Sequence, residues 1–264
     1  MSQGRPVFGV QEWAKWSVNL YSGCAHDCRY CYARDQAVRF GRHTPESWPT
    51  MRLREDVLRK QFRLRDGQGM FPSTHDILPQ VLGPCLRLLE NLLGAGNRVL
   101  VVSKPHVECV EAICERFPLF AGQVLFRFTV GASDDRILGF WEPNAPAYAE
   151  RMQAAELARR HGFRVSFSVE PMLDADGIEA HVRELARVAD HSVWVGAMNH
   201  VANLRKRLTR PEEQAALDHI EAGQTPDRVQ AIAAALADVP RLRWKESFKK
   251  ALGLPVPTLH GADR

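Results

Sequence analysis

The sequence contains no continuous apolar run of the length that a signal peptide or a membrane span requires. Over residues 1–21 the chain is interrupted by Arg5, Pro6, Glu12 and Lys15, whereas a span needs about 20 apolar residues in succession. A cytoplasmic chain with no membrane partner is therefore expected. Internal repeats and low-complexity linkers are missing too, so nothing divides the 264 residues, a length that suits a single α/β barrel or two domains. With 45% hydrophobic and 25% charged residues, the composition excludes a disordered or collagen-like chain. Net charge is small as well. Lysine and arginine exceed aspartate and glutamate by only 35 − 31 = 4, far short of a dedicated nucleic-acid-binding domain.

The basic excess is clustered. Arg52, Arg54, Arg59, Lys60, Arg63 and Arg65 form one stretch, Arg205, Lys206, Arg207 and Arg210 a second, and Arg241, Arg243, Lys245, Lys249 and Lys250 a third. Two readings stand: solvated helix faces and loop ends, or contacts to nucleic acid or a phosphate-bearing substrate. Only six cysteines are present, and three of them, Cys24, Cys28 and Cys31, crowd into eight residues. That spacing suits a metal site in a reducing compartment better than a disulfide framework.

Beyond residue 68, short β-rich runs alternate with amphipathic helical stretches, the pattern of βαβ units around a parallel sheet. Strands are expected over 69–77 (with its loop), 98–103, 123–130, 163–169, 192–197 and 242–245, and residues 16–21 supply a first strand. Helices are expected over 78–93, 106–117, 147–160, 177–189 and 226–237, several closed by Gly or Pro. Residues 199–224 are polar and weakly periodic, and read as an excursion over the barrel mouth with a helix over 211–222. Six or seven β/α repeats fall short of the usual eight. The fold class expected is α/β, a partial (β/α)6-type TIM barrel of parallel strands, with an open doubly wound sheet as the alternative.

Parallel strands covered on both faces read as continuous apolar runs, so polar residues within them need a reason. Ser166, Ser168 and Glu170 alternate with Val165, Phe167 and Val169, and Arg127 and Thr129 alternate with Phe126, Phe128 and Val130. Helices then cover the apolar rows, and the polar rows face the barrel interior. There they either meet a polar ligand or form an internal hydrogen-bond network.

The cysteine run is C-x-x-x-C-x-x-C. Three thiolates leave one iron of a cubane cluster free of protein ligands, open to a small molecule. Zinc is the competing metal, with His26 or a distant cysteine as fourth ligand, although no second C-x-x-C pair is present.

The run Cys24-Ala-His-Asp-Cys28-Arg-Tyr30-Cys31 resembles the radical S-adenosylmethionine signature C-x-x-x-C-x-aromatic-C. The wider stretch from Asn19 to Arg34 is similar to the branch that includes spore photoproduct lyase and the DNA repair photolyase-like proteins. Further echoes lie in Trp141-Glu142-Pro143-Asn144-Ala145-Pro146 with Glu150-Arg151, in Val169-Glu170-Pro171-Met172, and in Val193-Trp194-Val195-Gly196 with Met198-Asn199. The resemblance implies one radical S-adenosylmethionine domain over 1–264, with a cluster loop at 22–33. It implies a 4Fe-4S cluster on Cys24, Cys28 and Cys31, and S-adenosylmethionine reductively cleaved to a 5′-deoxyadenosyl radical that abstracts hydrogen from substrate. An external one-electron donor of flavodoxin or ferredoxin type is implied as partner.

By the same analogy Tyr30 packs near the adenine, and Lys104, with Ser103 beside it, contacts the cofactor carboxylate. Thr129, Ser168 and Glu170 become ribose or carboxylate contacts, and Asn199 an adenine or substrate contact. The superfamily's Gly-Gly-Glu motif is replaced by Pro72-Ser73-Thr74-His75-Asp76-Ile77, which makes His75 and Asp76 the catalytic candidates. Thr74 holds the place where the resembled enzyme carries a cysteine hydrogen donor, so repair of the spore photoproduct is not expected. The substrate stays open, nucleic acid being one candidate, as does the reaction class, lyase or transferase. An iron-sulfur redox or iron sensor and a zinc-stabilised nucleic-acid-binding protein are the non-enzymatic alternatives.

Overall fold

A computed structural model describes residues 6–261. In chain order its strands are β1 (Trp16–Ser17), β2 (Tyr21–Ser22), β3 (Arg52–Leu53), β4 (Gln68–Phe71), β5 (Arg98–Ser103), β6 (Val124–Thr129), β7 (Arg164–Val169), β8 (Val193–Val195) and β9 (Leu242–Trp244). Seven of them form one all-parallel sheet in the order β1-β4-β5-β6-β7-β8-β9, and β2 pairs antiparallel with β3 in a separate ribbon. Sheet neighbours follow one another along the chain without a reversal of order. That rules out the doubly wound alternative, whose strand order must switch direction. The outer strands β1 and β9 do not pair, so the barrel is partial, with the seven strands expected.

The helices form where their periodicity directs them. Leu82–Gly94 buries Leu88, Leu89, Leu92 and Leu93 on one face, then stops at Gly96, whose φ of 84° favours glycine. Tyr148–Arg160 ends in the same way at Gly162, φ 79°. Between these helices and the sheet lies the main core, where Val99, Val101, Phe126, Phe128, Val165, Phe167, Val193 and Val195 meet the helix faces. Each such side chain contributes roughly 1.5–3 kcal/mol by leaving water.

The alternate strand residues point inward. Met70, Leu100, Leu125 and Trp194 pack there with Trp13 and Ala14 from the chain before β1. The deeper polar residues satisfy one another: Arg127 Nε donates to Ser166 Oγ at 3.0 Å, Ser166 meets Ser192 at 2.9 Å, and Trp194 Nε1 donates to Ser192 at 2.9 Å. The Arg127 guanidinium lies 4.4 Å from the Trp13 ring centroid and 5.1 Å from that of Trp194. This half of the polar row is an internal network. Glu12, before β1, pairs at 2.7 Å with Lys245, after β9, so a buried ion pair spans the two unpaired edges.

Two expectations need correction. The first strand does not run to Tyr21, because Asn19 diverts the chain: its Oδ1 accepts the Ser73 and Thr74 amides at 2.7 and 2.9 Å, in place of ladder bonds. The excursion holds two helices, Val201–Arg207 and Pro211–Gly223. Its apolar residues bury into a satellite core with Leu138, Trp141 and Leu173, so they show little pattern of their own. Among the described residues no helix is long and apolar enough to cross a membrane.

Candidate cluster and cofactor site

The three cysteines lie between β2 and the helix Tyr32–Arg39. The Cys24 amide donates to Trp48 O at 3.0 Å. Before it Gly23 has φ 97°, and a Cβ there would sit 2.5 Å from Thr50 O, so only glycine fits. Cys31 is the N-cap of the helix, its sulfur accepting from the Arg34 amide at 3.4 Å. From the other side, Asn144 donates to Ala25 O at 3.1 Å and the Arg29 amide to Trp141 O at 2.8 Å. The segment whose sequence echoed a family thus acts as a clamp on the cysteine loop.

All three thiols are sheltered. Burial pushes Cys24 up to about 12, and raises Cys28 and Cys31 as well. A metal would take their protons' place, because a coordinating thiol is deprotonated outright. Tetrahedral zinc would need a fourth ligand beside the three thiols. His26 is committed elsewhere, to Asp76 Oδ2 at 3.1 Å and to His106 Nε2 at 3.1 Å. Cys85, Cys109 and Cys114 are buried on outer helices. The donor set, three soft thiolates on one short loop with His26 engaged elsewhere, fits an iron-sulfur cluster.

Asp76 is the hub beneath this loop. It accepts from the Ser103 hydroxyl, from the Ile77 and Lys104 amides at 3.1 Å each, and from His26. Burial works to raise its carboxyl, but the charges of His26 and Lys104 and the Ser103 hydrogen bond hold it below the ordinary range. Lys104 Nζ lies 4.0 Å from Asp76 and 5.8 Å from the Tyr30 ring centroid. Burial alone would lower this ammonium's pKa, yet Cys28, Glu142 and Asp76 keep it above its usual value. A half-buried cation therefore stands beside the three thiols.

Tyr30 donates its hydroxyl to Glu142, which pairs with Arg151, and Arg151 in turn donates to Thr129 O at 3.1 Å. Burial first, then the Glu142 carboxylate, drives the Tyr30 phenol well above its normal range. Thr129, Ser168 and Glu170 lie together at the C-terminal ends of β6 and β7. Burial raises Glu170 while Lys245, at 3.4 Å, opposes the rise. Asn199 is exposed beyond β8, apart from this group.

His75 has both nitrogens engaged: Nε2 accepts the Leu20 amide at 3.1 Å, and Nδ1–H donates to Asp76 O at 2.9 Å. Burial lowers it to about 4, so it is neutral and ties the end of β1 to that of β4. Residues not singled out for the site from sequence are Asn19, Glu142, Arg151 and Lys245. Asn19 and the Glu142 and Arg151 segment carried a signal as echoes without a role, and Lys245 only as part of the third basic stretch.

The second basic stretch is spent inside the molecule. Arg205 pairs with Asp218 at 2.8 Å, Arg207 with Asp35 at 3.2 Å and Arg210 with Glu213 at 2.7 Å. Glu213 also holds Arg29 of the cysteine loop at 3.0 Å. The residues of the first stretch are exposed.

Asp76, Lys104 and the segment Trp141 to Asn144, which pack against the cysteine loop, follow the C-terminal ends of β4, β5 and β6, where barrel enzymes place their chemistry. The class so defined is an open parallel α/β barrel with a three-cysteine loop over its mouth. Solved structures of spore photoproduct lyase, a radical S-adenosylmethionine enzyme, share this fold. A variant with bound AdoMet and dinucleoside spore photoproduct superposes with TM-score 0.55 at 15% identity, covering 86% of this chain and 75% of that one. A second variant gives 0.55 at 17%, covering 91% and 80%. The lyase complexed with dinucleoside spore photoproduct gives 0.54 at 16%, covering 85% and 74%. The chain shares the fold of spore photoproduct lyase. Over 181 residues it is 24% identical to an uncharacterized protein, ORF301, of Acidianus two-tailed virus, covering 64% of this chain and 60% of that protein. No family model matches.

Proposed function

We propose that the chain is a radical S-adenosylmethionine enzyme in which Cys24, Cys28 and Cys31 hold a 4Fe-4S cluster. The observation that carries this is the half-buried Lys104 ammonium beside three sheltered thiols, with Asp76 fixing it from behind. When bound, cluster and S-adenosylmethionine supply one-electron cleavage of a carbon–sulfur bond and a radical that takes hydrogen from substrate. The chain's own residues bind, orient and exclude water. Lys104 holds the cofactor carboxylate, with Ser103 and Asp76 setting its place. Tyr30 gives an aromatic wall that Glu142 keeps from turning, and Thr129, Ser168 and Glu170 offer polar contacts at the mouth.

His75 acts as a neutral tie, and Asp76 as a positioning group for Lys104. Asn199, exposed beyond β8, is assigned to substrate rather than to cofactor. The substrate class stays with nucleic acid or another phosphate-bearing molecule, met by the exposed arginines of the first basic stretch. Anaerobic reconstitution, iron and sulfide counting, and an assay for 5′-deoxyadenosine after reduction test the reading. A complete, reducible cluster that neither binds nor cleaves S-adenosylmethionine would sink it and leave a redox sensor.

A further inference from the structure

This inference rests on the proposed function. Cys24 and Cys28 are buried, so an electron must reach the cluster from a donor docked on the surface nearby. The helix Tyr32–Arg39 starts at Cys31 and is eight residues long, which places its far end about 12 Å from that cysteine. There Phe40 is 67% exposed, and the guanidiniums of Arg39 and Arg42 lie 5.8 and 5.6 Å from its ring centroid. A large apolar ring left in water between two cations has the composition of an interface anchor with a charged rim.

Most nearby acids are spent on other arginines, Asp35 on Arg207, Asp27 on Arg34, Glu55 on Arg59 and Asp56 on Arg54, and Glu46 makes no ion pair among the described residues. Arg39, Arg42 and Arg52 make no ion pair among the described residues. From Arg42 inward the packing is continuous. His43 is buried, its ring centroid lies 5.4 Å from that of Trp48, and the Trp48 carbonyl accepts the Cys24 amide. At the opposite end of the same helix, Tyr32 donates to Ser73 O at 2.6 Å, at the mouth. The patch therefore lies at the end of this helix away from the substrate side, which favours an electron donor over a nucleic acid.

We infer that Arg39, Phe40 and Arg42 form the docking surface for an acidic one-electron donor protein. The donor gives up one electron, the cluster accepts it, and no bond is made or broken. The probe is reduced flavodoxin, with cluster bleaching followed anaerobically in stopped flow on the iron-loaded protein. The double variant Arg39→Glu/Arg42→Glu is expected to slow flavodoxin-driven reduction about tenfold at low salt, the gap shrinking as salt screens the encounter. Phe40→Ala is expected to slow it about threefold, as loss of an anchor. Iron content and the rate with dithionite stay unchanged. Loaded variants that take electrons from flavodoxin as fast as wild type would overturn the inference alone. So would an equal slowing with dithionite, or a patch that binds single-stranded DNA while the flavodoxin rate is unmoved. A wild type that takes up no iron would overturn the proposed function, and this inference with it.

Discussion

Glu142 and Arg151 stand 2.6 Å apart with neither side chain exposed to solvent. The pair links the Tyr30 hydroxyl on one side to the Thr129 carbonyl on the other. It therefore joins the cysteine loop to the end of β6. Removing one member leaves a buried charge without compensation, so Arg151→Ala is expected to lower stability by about 3–5 kcal/mol. Replacing both by methionine should cost less than the sum of the single changes. Urea unfolding of the two single variants and the double variant measures both expectations.

The cysteine assignment predicts an all-or-none pattern. Cys24→Ala, Cys28→Ala and Cys31→Ala should each reduce iron from about four per chain to near zero. Cys85→Ala, Cys109→Ala and Cys114→Ala should retain it, since these thiols lie on outer helices. Stoichiometric zinc in native protein, without iron, would contradict the assignment.

Lys104→Ala should separate the cofactor from the cluster. Loss of a charge-assisted contact inside the barrel costs on the order of 2 kcal/mol, roughly thirtyfold in affinity for S-adenosylmethionine. Iron content should stay complete. Equilibrium binding to the loaded variant is the measurement, and undiminished affinity would remove Lys104 from the cofactor site.

His75 predicts a pH dependence of folding. Its pKa falls from 6.5 to about 4 on burial, so between these values the unfolded chain binds a proton that the folded chain does not. Stability contributed by the neutral ring is full above pH 6.5 and declines as pH falls toward 4, by about 3 kcal/mol in total. Urea midpoints across this window should fall in wild type and fall less steeply in His75→Gln. Parallel slopes would contradict the assignment.

The sheet and most helices were legible because strand and helix periods are local properties. Arg98–Ser103 coincides with its expected span, and the helix at Tyr148–Arg160 lies within one residue of it. Asn19 could not be read in this way, since its effect depends on Ser73 and Thr74 more than fifty residues later. The cysteine loop was legible because its three sulfurs lie on one short segment. Lys104 and Ser103 could be placed by their position at the end of a strand. Arg205 and Arg207 showed their sign in the sequence, but not that Asp218 and Asp35 would neutralise them. Glu142 and Arg151 meet only after the chain has turned between two helices, and no periodicity records that turn.

The Glu12–Lys245 pair across the unpaired edges makes the mouth tunable at a distance. Lys245 Nζ also takes the Gly9 carbonyl at 3.0 Å and faces Glu170 at 3.4 Å. One ammonium is thus shared between a carboxylate outside the mouth and a carboxylate at its rim. Glu12→Gln would release Lys245 wholly to Glu170 and make the local field one unit more positive, with every residue of the mouth unaltered. The charge that an incoming ligand meets is set in part by a residue it never touches.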